Sequence, residues 1–254
     1  MAWPFTPLVT FLSKSVPKVT AAFLNAIQKL HNAVFAPVYH ARPSIYVESY
    51  DGTNVLVFAA SLTIKDSVTG EYVYIPQVGR TVSTTWPTSA WRYLYLVSSS
   101  GVASVEVSST APATAIAGPL FKNGDETRRY LCAVRCDGGG GVEKFNMIDG
   151  RYLWLADNQV LTAATGTGSW GTLTVSSFVA PHARRIALMA RITNGSVSIG
   201  GVAFRSFSTG GIQLNADANS FDERDLTIAT AGSSIEWNAP ATTTVDVLVR
   251  GWEE

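Results

Sequence analysis

The sequence predicts a mainly β protein: an N-terminal extended segment and short helix, followed by two antiparallel β-sandwich (or barrel-like) domains. Three observations carry this. Beyond Pro43 the apolar residues alternate with a period of two, in short runs. Turn dipeptides such as Asp51-Gly52, Ser100-Gly101, Asp149-Gly150 and Asn194-Gly195 separate those runs at the spacing of hairpins. Charged residues make up only 15% of the 254-residue chain against 46% hydrophobic ones, enough to bury a sizeable core.

The elements follow in order. Trp3-Pro-Phe-Thr-Pro7 is extended, because two prolines remove donors and restrict the residues before them. The opening stretch lacks the continuous apolar region of a secretory signal, although its basic, acid-free composition is also that of a transit peptide. From about 17 to 34, Val19, Phe23, Ile27, Leu30 and Val34 recur at spacings of three and four, which predicts a helix. Its apolar stripe either lies on its own domain or packs against copies of itself or a socket in a larger assembly. The second is the expectation. With Trp3, Phe5, Leu8, Phe11 and Leu12 these residues form the expected assembly interface.

Strands are then predicted over Ser44–Tyr50, Asn54–Ala60, Leu62–Lys65, Glu71–Gln77, Ala90–Val97, Val102–Ser108, Arg129–Cys136, Val142–Ile148 and Tyr152–Trp154. A second series comprises Leu173–Ser176, Arg185–Thr193, Val197–Phe207, Leu226–Thr230, Ser233–Trp237 and Thr243–Trp252. The small, polar stretch Ala164–Ser169 reads as a separator. The expected division is an anchor at 1–42, a first β domain at 43–157 and a second at 158–254.

Charge narrows the function. There are 19 Lys and Arg against 19 Asp and Glu, which argues against broad phosphate neutralisation and so against a nucleic-acid partner. No apolar run is long enough for a membrane helix. The distribution is uneven, however. Residues 1–47 hold Lys14, Lys18, Lys29 and Arg42 and no acid, so the remainder is four net negative.

A search for chemistry finds no catalytic, metal or cofactor site. Gly138–Gly141 is not followed by Lys-Ser/Thr and a helix, so it reads as a hairpin tip rather than a phosphate cradle. Asp222-Glu-Arg-Asp225 lacks the spaced ligands of a calcium loop and reads as a solvated loop. His31, His40 and His182 are too dispersed for zinc. His182 reads as the lead-in to a strand, and Asn194-Gly-Ser196 as a turn rather than a glycosylation acceptor. Cys132 and Cys136 share a strand face about 13 Å apart at ~3.3 Å per residue, too far to bridge. Trp91, Tyr93 and Tyr95 alternate and so share one side of a strand. Such a row could contact a glycan, line a subunit interface or sit in a core.

Three segments taken together carry a resemblance: Ala90-Trp-Arg-Tyr-Leu-Tyr-Leu-Val97, Ser108-Ser-Thr-Ala-Pro112, and Thr127-Arg-Arg-Tyr-Leu-Cys-Ala-Val-Arg-Cys-Asp137. Their order resembles a β module of tailed-phage fibre, baseplate and neck (collar) proteins. Ser234-Ile-Glu-Trp237 through Thr243–Trp252 is similar to that module's closing strands, and Val19–Ile27 to its helical opening. The resemblance implies a non-enzymatic virion component on the particle exterior, a homotrimer. It would be held to other virion proteins through residues 1–40, projecting β domains outward. A host-surface glycan is the further partner it admits.

Overall fold

The computed structural model describes residues 44–49, 51–113, 119–196, 198–206, 211–230 and 234–254. The expected extended segment, the helix over 17–34 and the interface residues from Trp3 to Val34 lie outside them. The described residues are all-β, with no helix among them, and every strand pairing is antiparallel.

In chain order the strands are β1 (Ser44–Ser49), β2 (Asn54–Lys65), β3 (Tyr72–Ser83), β4 (Trp91–Ser99), β5 (Val102–Ser108), β6 (Phe121–Lys122), β7 (Asp125–Arg135) and β8 (Phe145–Ile148). They continue as β9 (Arg151–Thr165), β10 (Gly171–Thr174), β11 (Arg185–Asn194), β12 (Gly200–Arg205), β13 (Ile212–Ala216), β14 (Phe221–Ala229), β15 (Ser234–Asn238) and β16 (Thr243–Glu253). One long sheet runs β14-β11-β16-β9-β8-β1-β2-β3. A four-stranded sheet, β5-β4-β7-β6, lies on its β2–β3 end, and another, β10-β15-β12-β13, lies on its β9, β11, β14 and β16 end.

The hairpins at Asp51-Gly52, Ser100-Gly101 and Asp149-Gly150 form as predicted, whereas Asn194-Gly195 closes none, because the strands it joins, β11 and β12, belong to different sheets. Ser100-Gly101 and Asp149-Gly150 both have positive φ at both positions, the geometry whose twist matches the flanking strands. Gly52 sits at φ 77°, and Asp51 accepts the amides of Thr53 and Asn54 at 2.8 and 2.7 Å.

Two expected strands, 54–60 and 62–65, are one. The inward residues of β2 are Val55, Val57 and Ala59, then Leu62 and Ile64, so the alternation changes phase at Ser61. Ser61 has φ 57°, which turns the backbone over without ending the strand. Pro76, lacking an N–H, falls between the pairs Ala60↔Gln77 and Leu62↔Ile75 and stands across from it.

β9 likewise continues well past Trp154, and residue 157, the expected domain boundary, lies inside it. The long sheet therefore takes strands from both sides of that boundary, and one buried cluster includes residues of all three sheets. The acidic run Asp222–Asp225 is a strand, not a loop: it belongs to β14, paired with β11 along its whole length. β14 is the sheet's edge, and charged side chains there discourage pairing with another chain. β13 and β6 fall where no strand was expected.

Candidate functional site

Trp91, Tyr93 and Tyr95 share one face, as their alternation predicts, but that face is internal. Tyr93 and Tyr95 are 5% and 0% exposed, so these two rings meet neither a glycan nor a second subunit. Each of the three instead packs on a ring from elsewhere in the chain. Trp91 stands edge-on to Trp252 at 5.5 Å, Tyr93 lies 5.8 Å from His182, and Tyr95 lies 5.8 Å from Tyr130. Such pairs contribute about 0.5–1.5 kcal/mol each beyond area burial. The reason is packing: β2 of the long sheet and the rings of Trp252 and His182 pack onto β4, and Tyr93–Val97 are buried on both faces of the strand.

The same seam gathers ionisable groups that the sequence keeps far apart. The Tyr130 hydroxyl is 2.9 Å from His182 Nε2 and donates to Glu254 Oε1, which lies 3.1 Å from the same nitrogen. Tyr152 takes the Ala133 amide at 2.6 Å, and its hydroxyl is 3.5 Å from that of Tyr130. Burial, reinforced by the Glu254 charge, pushes both phenols well above their usual range, so they remain protonated. Trp91 and Trp154 donate to the carbonyls of Ser176 and Phe178 at 3.1 and 3.0 Å. The segment between β10 and β11 is thereby pinned beside the cluster.

This is a largely buried Tyr-His-Glu constellation: Tyr130 and Tyr152 are 5% and 4% exposed, and the His182 and Glu254 side chains 15% and 11%. Its geometry clamps β7, the 182 segment and the end of β16 together. Cys132 and Cys136 are free and buried. Burial raises both thiols, that of Cys136 to about 11, so neither supplies a thiolate nucleophile at neutral pH. Gly138–Gly141 is a hairpin tip: Asp137 accepts the Gly139 and Gly141 amides at 2.7 and 2.8 Å. Asn194 is 1% exposed and donates to the carbonyls of Ser198 and Asp217, which is a turn's role and not a glycosylation acceptor's.

An open concavity with convergent polar groups lies on the outer face of the β10-β15-β12-β13 sheet, with a volume of about 360 Å³. Its floor is built from two small residues on the inner strand β12, Gly201 and Ala203. Ala203 pairs with Gln213 on one side and Asn238 on the other, and Gly201 pairs with Asn215, so amides rise on both sides of the floor. Only glycine fits at 201: a Cβ there would stand 2.3 Å from the Leu214 carbonyl oxygen. Exposed Ile199 and Pro240 line the rest.

Two residues farther along β12 on the same face, Arg205 pairs with Glu236 at 2.6 Å, and its guanidinium covers the Trp170 ring at 3.9 Å. The sequence carried no legible signal for this site. Its donors come from separate strands, and β13 itself was missed.

No protein-family model matches the chain, and no curated protein sequence does. Among solved structures it is similar to an exo-β-1,3-galactanase from Phanerochaete chrysosporium at 12% identity, covering 80% of this chain and 55% of that one, TM-score 0.27. It is also similar to two Bacillus thuringiensis proteins: a Cry1Da tryptic core variant (10% identity, 82% and 50% covered, TM-score 0.23) and the insecticidal crystal protein Cry7Ca1 (10%, 83% and 51%, TM-score 0.20). The chain spans about half the length of each, and likenesses at these scores carry no argument about function.

Proposed function

We propose that the chain is a non-enzymatic structural protein of a tailed-phage particle. It acts as a short fibre or decoration on the tail, baseplate or neck, anchored through residues 1–42. Its β body projects from the particle exterior as two sandwiches that share the long sheet as a common wall. The observation that carries this is the contrast between buried and open polar groups. Tyr130, His182 and Glu254 are tied to one another inside the body, whereas the open concavity offers amides, which hold ligands rather than break bonds. The resemblance of residues 90–137 to fibre and neck modules supplies the particle, and the acid-free stretch ahead of the body supplies the anchor.

Self-association is part of the proposal, with a second copy as the occupant of the long sheet's open face. Tyr46, Phe58 and Ile148 lie in one cross-strand row there, beside Leu56 and Leu153, and all but Tyr46 are exposed large apolar side chains. A second reading, a receptor-binding module on the same particle, is favoured by the amide-lined concavity.

Deletion of residues 2–40 tests the anchor. The truncated chain should remain soluble and folded yet fail to join particles assembled in the presence of the full-length protein. Incorporation at the full-length level would end the proposal.

A further inference from the structure

We propose that the outer face of the β10-β15-β12-β13 sheet is a binding site for an uncharged carbohydrate, seated on Gly201 and Ala203 and held by the amides of Gln213, Asn215 and Asn238. The inference rests on the reading of the chain as a virion-surface binding protein and names the ligand of that surface.

Three features select this class. First, each side-chain amide presents both a donor and an acceptor group, the complement of a sugar hydroxyl that both gives and takes a proton. Gln213 donates to Asn215 Oδ1 at 3.1 Å, which orients the pair, and Asn238 makes a long 3.4 Å bond to the Gly168 carbonyl. Among the described residues these are the only side-chain hydrogen bonds the three amides make, so most of their capacity is open to a ligand.

Second, the lining is electrically neutral. No residue of the concavity is charged, and the adjacent ion pair of Arg205 and Glu236 is closed on itself at 2.6 Å. A carboxylated or sulfated sugar would gain no cation here in exchange for the hydration it loses, which favours a neutral sugar over it. Third, Trp170 borders this face, 39% exposed, with Arg205 fixed against its ring. Arg205 occupies one face of the indole, so the ring meets a pyranose only through the surface the guanidinium leaves open. The size agrees, since about 360 Å³ is at the small end of the usual range of roughly 300–1,000 Å³ for ligand sites.

The test uses the full-length protein on a printed array of neutral hexose and N-acetylhexosamine oligosaccharides with sialylated and sulfated counterparts, followed by calorimetric titration of the best neutral binder. Binding is expected to neutral members. It should weaken about tenfold in Asn238→Ala and in Gln213→Ala, one hydrogen-bonding group lost in each. Ala203→Leu, which fills the floor from the solvent side, should abolish it while leaving the unfolding midpoint within a few degrees of wild type.

Binding confined to acidic sugars, no neutral binding up to millimolar concentration, or undiminished binding by folded Ala203→Leu would each overturn the inference. Particle incorporation of the same proteins is scored separately. A chain that joins particles but binds no neutral glycan sinks this inference alone. One that binds through the groove but never joins particles sinks the virion reading alone.

Discussion

Asp66 shows how much one side chain organises. It is fully buried and accepts five hydrogen bonds: Ser98 Oγ at 2.6 Å and the Gly101 amide at 2.8 Å on one oxygen, and the amides of Val68, Thr69 and Ser100 on the other. It therefore ties the β2–β3 turn to the β4–β5 turn. The Ser98 hydroxyl, then the Gly101 and Thr69 amides, hold its carboxyl well below the usual carboxylate range. Because the folded pKa is depressed, this stabilisation is complete above the unfolded value near 4 and is lost as pH falls below it. Asp66→Asn turns one oxygen into a donor facing donors, and should lower the melting temperature at pH 7 by about 5 °C or more. It should also flatten the wild-type loss of stability below pH 4; an unchanged acid limb would contradict this role.

The clamp around Tyr130 leads to a second prediction. Tyr130→Phe removes the hydroxyl between His182 and Glu254 and should cost about 1–3 kcal/mol in denaturant unfolding, since it strands buried polar partners. A change within 0.3 kcal/mol, roughly the noise of such comparisons, would count against the clamp. Neither site was legible beforehand. His182 is 52 residues from Tyr130 and Glu254 is 124, and no local spacing encodes such a meeting. For Asp66 a signal existed: an Asp just ahead of Val68-Thr-Gly70 is a residue type that accepts the amides of its own turn.

Among the elements, alternation was legible where the strand is regular and failed where it is not. β5 and β11 lie close to their expected bounds because each keeps its phase, and β16 does so although its inward residues run Val245, Val247, Val249 and then Trp252. β2 was divided because Ser61 reverses its phase, and β9 was cut short because its pairing with β16 shifts register repeatedly. One of those shifts, between Val249 and Gly251, brings the backbones so close that a Cβ on Gly251 would stand 1.8 Å from the Tyr152 carbonyl oxygen. Gly251→Ala must push β9 and β16 apart, and should destabilise by about 3 kcal/mol or more, at the upper end for overpacking. Chemical denaturation measures it, and a near-neutral result would show that the two strands can separate without loss.

For the whole molecule, the proposal to test is self-association. The proposal uses the charge division between residues 1–47 and the remainder, and the exposed apolar side chains on the long sheet's open face. The deletion of residues 2–40 therefore has a second reading. Light scattering should give three times the chain mass for the full-length protein and a lower mass after deletion, because the proposed helix over 17–34 packs copies together. A monomer mass for the full-length chain across a wide concentration range would refute trimerisation.

By itself the sequence determined the mainly β class, three of the hairpins and the core-facing phase of most strands. Those follow from local chemistry: period-two patterning, and turn residues that tolerate positive φ at Gly101 and Gly150. It also determined that Trp91, Tyr93 and Tyr95 share a face. Only the tertiary structure decided that this face is internal, that the long sheet continues through residue 157, and that Gln213, Asn215 and Asn238 converge over Gly201 and Ala203. The physical reason is the same in each case. A strand's own sequence sets which side chains alternate, whereas the strands packed over and beside it set what those side chains meet.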